Sequence, residues 1–239
     1  MNSSPPQVCL ITGGSSGVGL ATAETFARAG SHVAICGRDA ERLESAHDRL
    51  VEIAGDADKV LAVQADITVT DEATGLVSQT IEQLSRIDLL VNNAAMAPMA
   101  PLDEMPNEAI DACIDLNVRA TYYVTRSVWG QMKQQGSGIV VNISSQAAVD
   151  PFPGFSLYGS TKAWMELFTV ALAGEGREHG IRSYCIRPGA IETPMLRGLF
   201  ADFPAEQCVS PQEVADAIWA VTGPELANSS GQIIRVSKQ

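Results

Sequence analysis

Val8-Cys9-Leu10-Ile11-Thr12 runs straight into Gly13-Gly14-Ser15-Ser16-Gly17-Val18-Gly19. Five consecutive residues of low polarity predict a strand buried on both faces, since a half-exposed strand would alternate apolar and polar side chains. The glycines permit a tight turn, and Val18–Ala29 then reads as a helix stopped by Gly30. At such a junction the backbone can approach a pyrophosphate closely, while the first N–H groups of the helix stabilise the anion. The same glycines would suit an ordinary flexible loop. Their place in a strand–turn–helix unit favours a dinucleotide site.

Working outward, apolar runs alternate with amphipathic ones. Strands are predicted at His32–Cys36, Val60–Gln64, Asp88–Asn92, Gly138–Ser144, Ile181–Ile186 and Gln232–Val236. Asp39 is placed to cap a helix over Ala40–Ala54, where Leu43, Ala46, Leu50, Ile53 and Ala54 recur at helical spacing. Further helices are read from Thr70 to about Ser85, across Met105–Gln135 and Leu157–His179, and over Pro211–Thr222. Alternating strands and helices with unbroken apolar strands predict an α/β fold: a doubly wound, Rossmann-like parallel sheet of seven strands ordered 3-2-1-4-5-6-7, with helices on both faces. The whole of 1–239 is expected to form one domain, with 1–6 a flexible tail and Pro194–Ser210, rich in proline and aromatics, a substrate flap.

Composition narrows the function. A formal charge of −12 argues against nucleic-acid and anionic-membrane partners, both of which need a dense positive surface. Five scattered cysteines with no paired spacing suit a reducing cytoplasm better than a disulfide scaffold. His32, His47 and His179 share no ligand spacing, so no metal is expected. Neither a secretory leader nor a membrane span is legible, and a cytoplasmic enzyme is the expectation.

The glycine spacing is T-G-x3-G-x-G, and with it the chain resembles the short-chain dehydrogenase/reductase family in its compact form. The resemblance extends over nearly the whole chain. It implies that Gly13, Ser15, Ser16, Gly17, Val18 and Gly19 hold a nicotinamide dinucleotide. It places Asp66 and Ile67 at the adenine and Asn92, in Asn92-Asn93-Ala94-Ala95, beside the cofactor, although Ala95 replaces the usual glycine. After the sixth strand, Ile191 and Thr193 in Arg187-Pro188-Gly189-Ala190-Ile191-Glu192-Thr193-Pro194 would hold the carboxamide. At the end of the second strand an acid would select NAD by binding the ribose 2′-hydroxyl. Here that position is Gly37 followed by Arg38, which favours the 2′-phosphate of NADP over NAD.

Tyr158-Gly159-Ser160-Thr161-Lys162 carries the chemistry. Residues four apart on a helix share a face, so phenol and ammonium meet, and the positive charge is expected to lower the tyrosine pKa. A bare Y-x3-K is weak evidence; its place after the fifth strand matches the family. Ser145, thirteen residues earlier, matches the serine that binds the substrate oxygen. Ser144 is its competitor, and neighbours on a strand point to opposite faces. Asn117 matches the asparagine that supports a water beside the lysine. Together these imply hydride transfer between NADP(H) and a ketone or secondary alcohol, with homodimers or homotetramers by family analogy. A catalytically silent dinucleotide sensor or scaffold is the alternative. A sugar-nucleotide epimerase or dehydratase fits the short C-terminal region less well. An apolar substrate pocket is read from Met96, Ala147, Val149, Phe152, Phe155, Leu196, Leu199, Phe200 and Phe203.

Overall fold

A computed structural model describes residues 5–238, so that of the expected tail only Pro5 and Pro6 fall within the described residues. Seven parallel strands form one sheet in the order β3-β2-β1-β4-β5-β6-β7, the order expected from the alternating elements. They are β1 Val8–Thr12, β2 His32–Gly37, β3 Val60–Gln64, β4 Leu89–Asn92, β5 Gly138–Ile143, β6 Ile181–Pro188 and β7 Ile233–Val236. Between them lie α1 Gly17–Arg28, α2 Ala40–Ala54, α3 Thr70–Leu84, α4 Asn107–Ile114, α5 Thr121–Gln135, α6 Ser156–Gly176, α7 Pro194–Leu199 and α8 Pro211–Thr222.

The period-two pleat explains two cores. Cys9, Ile11, Val33 and Ile35 point to one face, where they meet Phe26 of α1, Leu50 of α2 and Ile218 of α8. Val8, Leu10, Ala34 and Cys36 point to the other, against Leu76 of α3 and Val124 and Val128 of α5. Because both faces of the central strands are covered, polar side chains there are costly, which is why β1 and β4 read as largely apolar runs. Asp39 caps α2 as expected, accepting from the amide of Arg42 at 3.0 Å.

Two segments differ from the sequence reading. The helix expected across 105–135 is broken by a π-helical turn at Asp115–Ala120, which widens the coil where buried Asn117 and Leu116 turn inward. In the stretch 194–210, α7 forms with Thr193 as its cap, accepting from the amide of Leu196 at 3.3 Å. Arg197 gathers the loop by pairing with Glu192 and donating to the carbonyls of Ala201 (3.0 Å) and Phe203 (2.6 Å). No helix among the described residues is long and apolar enough to cross a membrane.

Candidate active site

The C-terminal ends of the strands open into a cleft of about 900 Å³ that runs from β2 and β3, across β1, to β5 and β6. Such a crevice forms where the strand order reverses, because adjacent crossovers leave in opposite directions. At one end lies the glycine turn. Gly13 has φ +64°, a left-handed conformation that a side chain would strain. A Cβ on Gly19 would fall 2.3 Å from the Gly13 carbonyl and 2.6 Å from Asn93 Nδ2, so helix and turn touch backbone to backbone. Ser16 precedes α1 without capping it, and no acid stands in the first turn. The helix therefore presents uncapped N–H groups and its positive dipole end beside Ser15, Ser16, Gly17 and Val18, all of which line the cleft. Glycines that pull the backbone close and an unneutralised helix start fit the pyrophosphate of a dinucleotide.

Arg38 and Asp66 line the same end, their charged atoms 3.7 Å apart. Partial burial works against the Asp66 carboxylate. The hydroxyl and amide of Thr68, at 2.7 and 3.0 Å, together with Arg38, nevertheless hold it below the ordinary carboxylate range. Arg42, which the sequence reading missed, also lines the cleft and donates to Asp39 at 2.9 Å. Its signal was available, since Arg38 and Arg42 are four apart across the start of α2. Two exposed guanidinium groups beside a side-chain-free Gly37 leave room for an anionic group at this end.

Tyr158, Lys162 and Ser145 line the opposite end. Tyr158 and Lys162 stand one turn apart on α6, with Lys162 Nζ 5.7 Å from the centre of the phenol ring. Ser145 opens a short 3₁₀ turn and its hydroxyl accepts from the amide of Ala147 at 3.2 Å. Ser144, its neighbour, is turned back into the protein: its hydroxyl donates to Glu166 at 2.8 Å, with the carbonyl of Lys162 as a second acceptor within reach at 3.2 Å. Glu166 also receives two bonds from Arg187 of β6, at 2.7 and 2.6 Å, which ties the ends of β5 and β6 to α6.

The expected lowering of the tyrosine pKa is corrected by the structure. Burial pushes the Tyr158 phenol up to about 12, with a hydrogen bond to Ser145 pulling the other way. Lys162 does not reverse this, because its ammonium is aimed at the carbonyl of Ile143, 2.7 Å away, rather than at the phenol oxygen. Burial pushes Lys162 itself down to about 8. At neutral pH the phenol therefore keeps its proton, and the lysine is still mainly charged.

Ile67, Ile191 and Thr193 line the cleft as expected. Three other expected residues do not: Gly19, which packs against the Gly13 carbonyl beneath the turn, Asn92 and Asn117. Asn92 is buried, and its amide donates to Thr125 Oγ1 and Asn142 Oδ1, both at 2.9 Å. The reason is the pleat: Asn92 is still in β4, the central strand, and points to the face covered by α5, and Asn93 beyond it reaches the turn. Asn93 Nδ2 donates to the carbonyls of Thr12 (2.9 Å) and Gly13 (3.1 Å), while Thr12 Oγ1 accepts from the amides of Asn93 and Ala94. Asn117 is wholly buried and its amide group is committed to Met96, Thr161 and Cys113. It anchors the segment after β4 rather than facing the cleft. Ala95 does line the cleft; Ser85 is the single non-glycine residue with positive φ among those described, so the extra Cβ strains no backbone. Of the expected pocket residues, Ala147, Phe152, Phe155, Leu196, Leu199, Phe200 and Phe203 line the cleft, and Met96 and Val149 do not. Among the described residues no three His, Cys, Asp or Glu side chains gather to hold a metal ion.

The family model for short chain dehydrogenases matches residues 7–203. The chain belongs to the short-chain dehydrogenase/reductase family. A 3-oxoacyl-(acyl-carrier-protein) reductase of Synechocystis is 35% identical over 236 residues, covering 96% of this chain and 95% of its relative. Among solved structures, a 3-ketoacyl-(acyl-carrier-protein) reductase from Brucella melitensis complexed with NADH superposes with a TM-score of 0.89 at 29% identity, covering 98% of both chains. The L-sorbose reductase of Gluconobacter frateurii, complexed with NADPH and L-sorbose, also gives 0.89 at 29% identity, covering 97% of this chain and 95% of that one. This short-chain dehydrogenase is thus an NAD(P)-dependent oxidoreductase with the Rossmann-like sheet of its relatives.

Proposed function

We propose that the enzyme moves hydride reversibly between NADP(H) and a ketone or secondary alcohol, using residues 5–238 as one functional unit. The observation that carries this reading is a single cleft with the glycine turn, Arg38 and Arg42 at one end and Ser145, Tyr158 and Lys162 at the other. When bound, the reduced nicotinamide supplies the hydride that the carbonyl carbon accepts.

The chain's own residues do the rest. Ser145 positions the substrate oxygen and stabilises the negative charge that develops there. Tyr158, a neutral phenol at working pH, gives that oxygen its proton. Burial makes the resulting phenolate costly, so reprotonation is driven strongly. Lys162 places a positive charge beside the phenol and is available to the nicotinamide ribose, while Asn117 holds Met96, between the cleft-lining Ala95 and Ala97, and Thr161 on α6. Ile191 and Thr193 hold the carboxamide, Asp66 and Ile67 the adenosine. Arg38, aided by Arg42, takes the 2′-phosphate, whose charge suits paired guanidinium donors. In the cell we place the enzyme in the cytoplasm as a homo-oligomer.

A panel of ketones and secondary alcohols, followed by nicotinamide absorbance with NADPH and NADH, tests the reading. Ketone reduction with NADPH preferred is expected. Cofactor binding without turnover of any carbonyl would overturn it.

A further inference from the structure

The substrate end of the cleft is aromatic to an unusual degree. Tyr158 packs on Phe155 with ring centres 5.3 Å apart, and Phe155 meets Phe152 at 6.3 Å and Phe200 at 5.9 Å, the latter edge to face. Phe152 and Phe200 lie 5.8 Å apart, and Phe203 extends the cluster 6.4 Å beyond Phe200. Four of the six phenylalanines of the chain are therefore drawn together from two separate segments, ahead of α6 and behind α7. Phe155 is nearly buried and fixes the inner ring, whereas Phe152 is 53% exposed, so the cluster keeps an open apolar face.

Charge at this end is as informative. The charged residues lining the cleft are Arg38, Asp39, Arg42, Asp66, Asp150 and Lys162. The first four stand at the glycine-turn end, and Lys162 is buried against Ile143. That leaves Asp150, an acid, next to the aromatic cluster. Arg197, the nearest cation in the loop, is saturated by Glu192 and two carbonyls. An anionic substrate would find no free cation among the described residues beside the aromatic cluster, only Lys162 engaged with Ile143, and one repulsive carboxylate.

Resting on the reductase reading above, we infer that the substrate is an uncharged ketone, or its alcohol, bearing a flat ring beside the carbonyl, and that carboxylate-bearing or ring-free ketones are disfavoured. A flat ring fits because aromatic groups pack offset or edge-on at the ring separations seen within the cluster. A small dialkyl ketone would leave the open face of Phe152 and Phe200 wet and forfeit that burial.

Four ketones discriminate: acetophenone, butanone, para-acetylbenzoate and acetoacetyl-coenzyme A, compared by kcat/KM with NADPH. Acetophenone is expected to exceed each of the others at least tenfold, and Phe200→Ala to reduce the acetophenone-to-butanone ratio about tenfold, with Phe200→Leu between. Ligand-observed NMR supplies a second reading that needs no turnover, in which acetophenone binds and para-acetylbenzoate does not. Equal or better kcat/KM for butanone, the carboxylate or the thioester would overturn the substrate class and leave the reductase intact. Selective acetophenone binding with no ketone reduced would overturn the reductase reading, and with it the inference that the ring-bearing ligand is a substrate.

Discussion

Replacing Lys162 by methionine should make the protein more stable and inactive, and the size of the gain follows from burial. Lys162 is 2% exposed, and its ammonium donates to the Ile143 carbonyl. Its fall from the ordinary 10.5 to about 8 corresponds to about 3 kcal/mol set against the charged form in the fold. Methionine fills a similar volume without a charge and forfeits the hydrogen bond, a loss of about 1–2 kcal/mol. The net gain at pH 7 is then about 1–2 kcal/mol, or roughly 2–8 °C in Tm for a chain of this size. The pH dependence carries the sharper signature. For a lysine whose pKa is lowered on folding, the unfolded chain binds the extra proton between about pH 8 and 10.5, so the penalty is present in full below pH 8 and fades as pH rises through that window. Calorimetric unfolding of both proteins at pH 7 and pH 10 isolates the lysine, because other groups cancel in the difference. The variant's advantage should be largest at pH 7 and gone or slightly reversed at pH 10, where the remaining penalty of about 1 kcal/mol no longer exceeds the lost hydrogen bond. A variant less stable than the parent at pH 7, or a difference that does not change with pH, would refute the picture of a charge held at a cost.

Gly19→Ala should cost about 1–3 kcal/mol, since its Cβ meets backbone 2.3 Å away, and should weaken NADPH binding more than tenfold, read by thermal unfolding and cofactor fluorescence titration. Arg38→Ala should raise the Kd for NADPH about tenfold or more, the equivalent of one charge-assisted hydrogen bond, while leaving NADH within about twofold. Equal losses for both cofactors in the same titration would remove Arg38 from the selectivity determinant. Glu166→Gln strips the charge facing Arg187 in a largely buried pair and should destabilise the protein by about 3 kcal/mol in urea unfolding. An unchanged midpoint would show that Glu166 does not tie α6 to β6.

The sheet was legible because its strands are buried on both faces. Val8–Thr12 and Val60–Gln64 have the bounds expected from their apolar runs, and Asp39 capped α2 where its side chain predicted. Reading failed where one residue of register matters. Asn92 and Asn93 are indistinguishable in composition, yet the pleat sends the first inward to Thr125 and Asn142 and leaves the second to brace the glycine turn. The π-helical turn at Asp115–Ala120 leaves no mark on apolar spacing, since a single widened coil shifts the pattern by less than its own irregularity. Lys162 and Tyr158 share a helix face as their spacing requires, but spacing says nothing of aim: the tertiary contact with Ile143 directs the ammonium away from the phenol oxygen. Arg42 is legible in its four-residue spacing from Arg38, and the folded chain adds that the start of α2 sets both against the cleft.

Tyr158→Phe removes one oxygen from the cleft and nothing else that packs. NADPH affinity, measured by fluorescence titration, should stay within about twofold, and ketone reduction should fall at least a thousandfold, in the range of a lost positioned proton donor. Turnover within tenfold of the parent, with the cofactor still bound, would contradict Tyr158 as the proton donor.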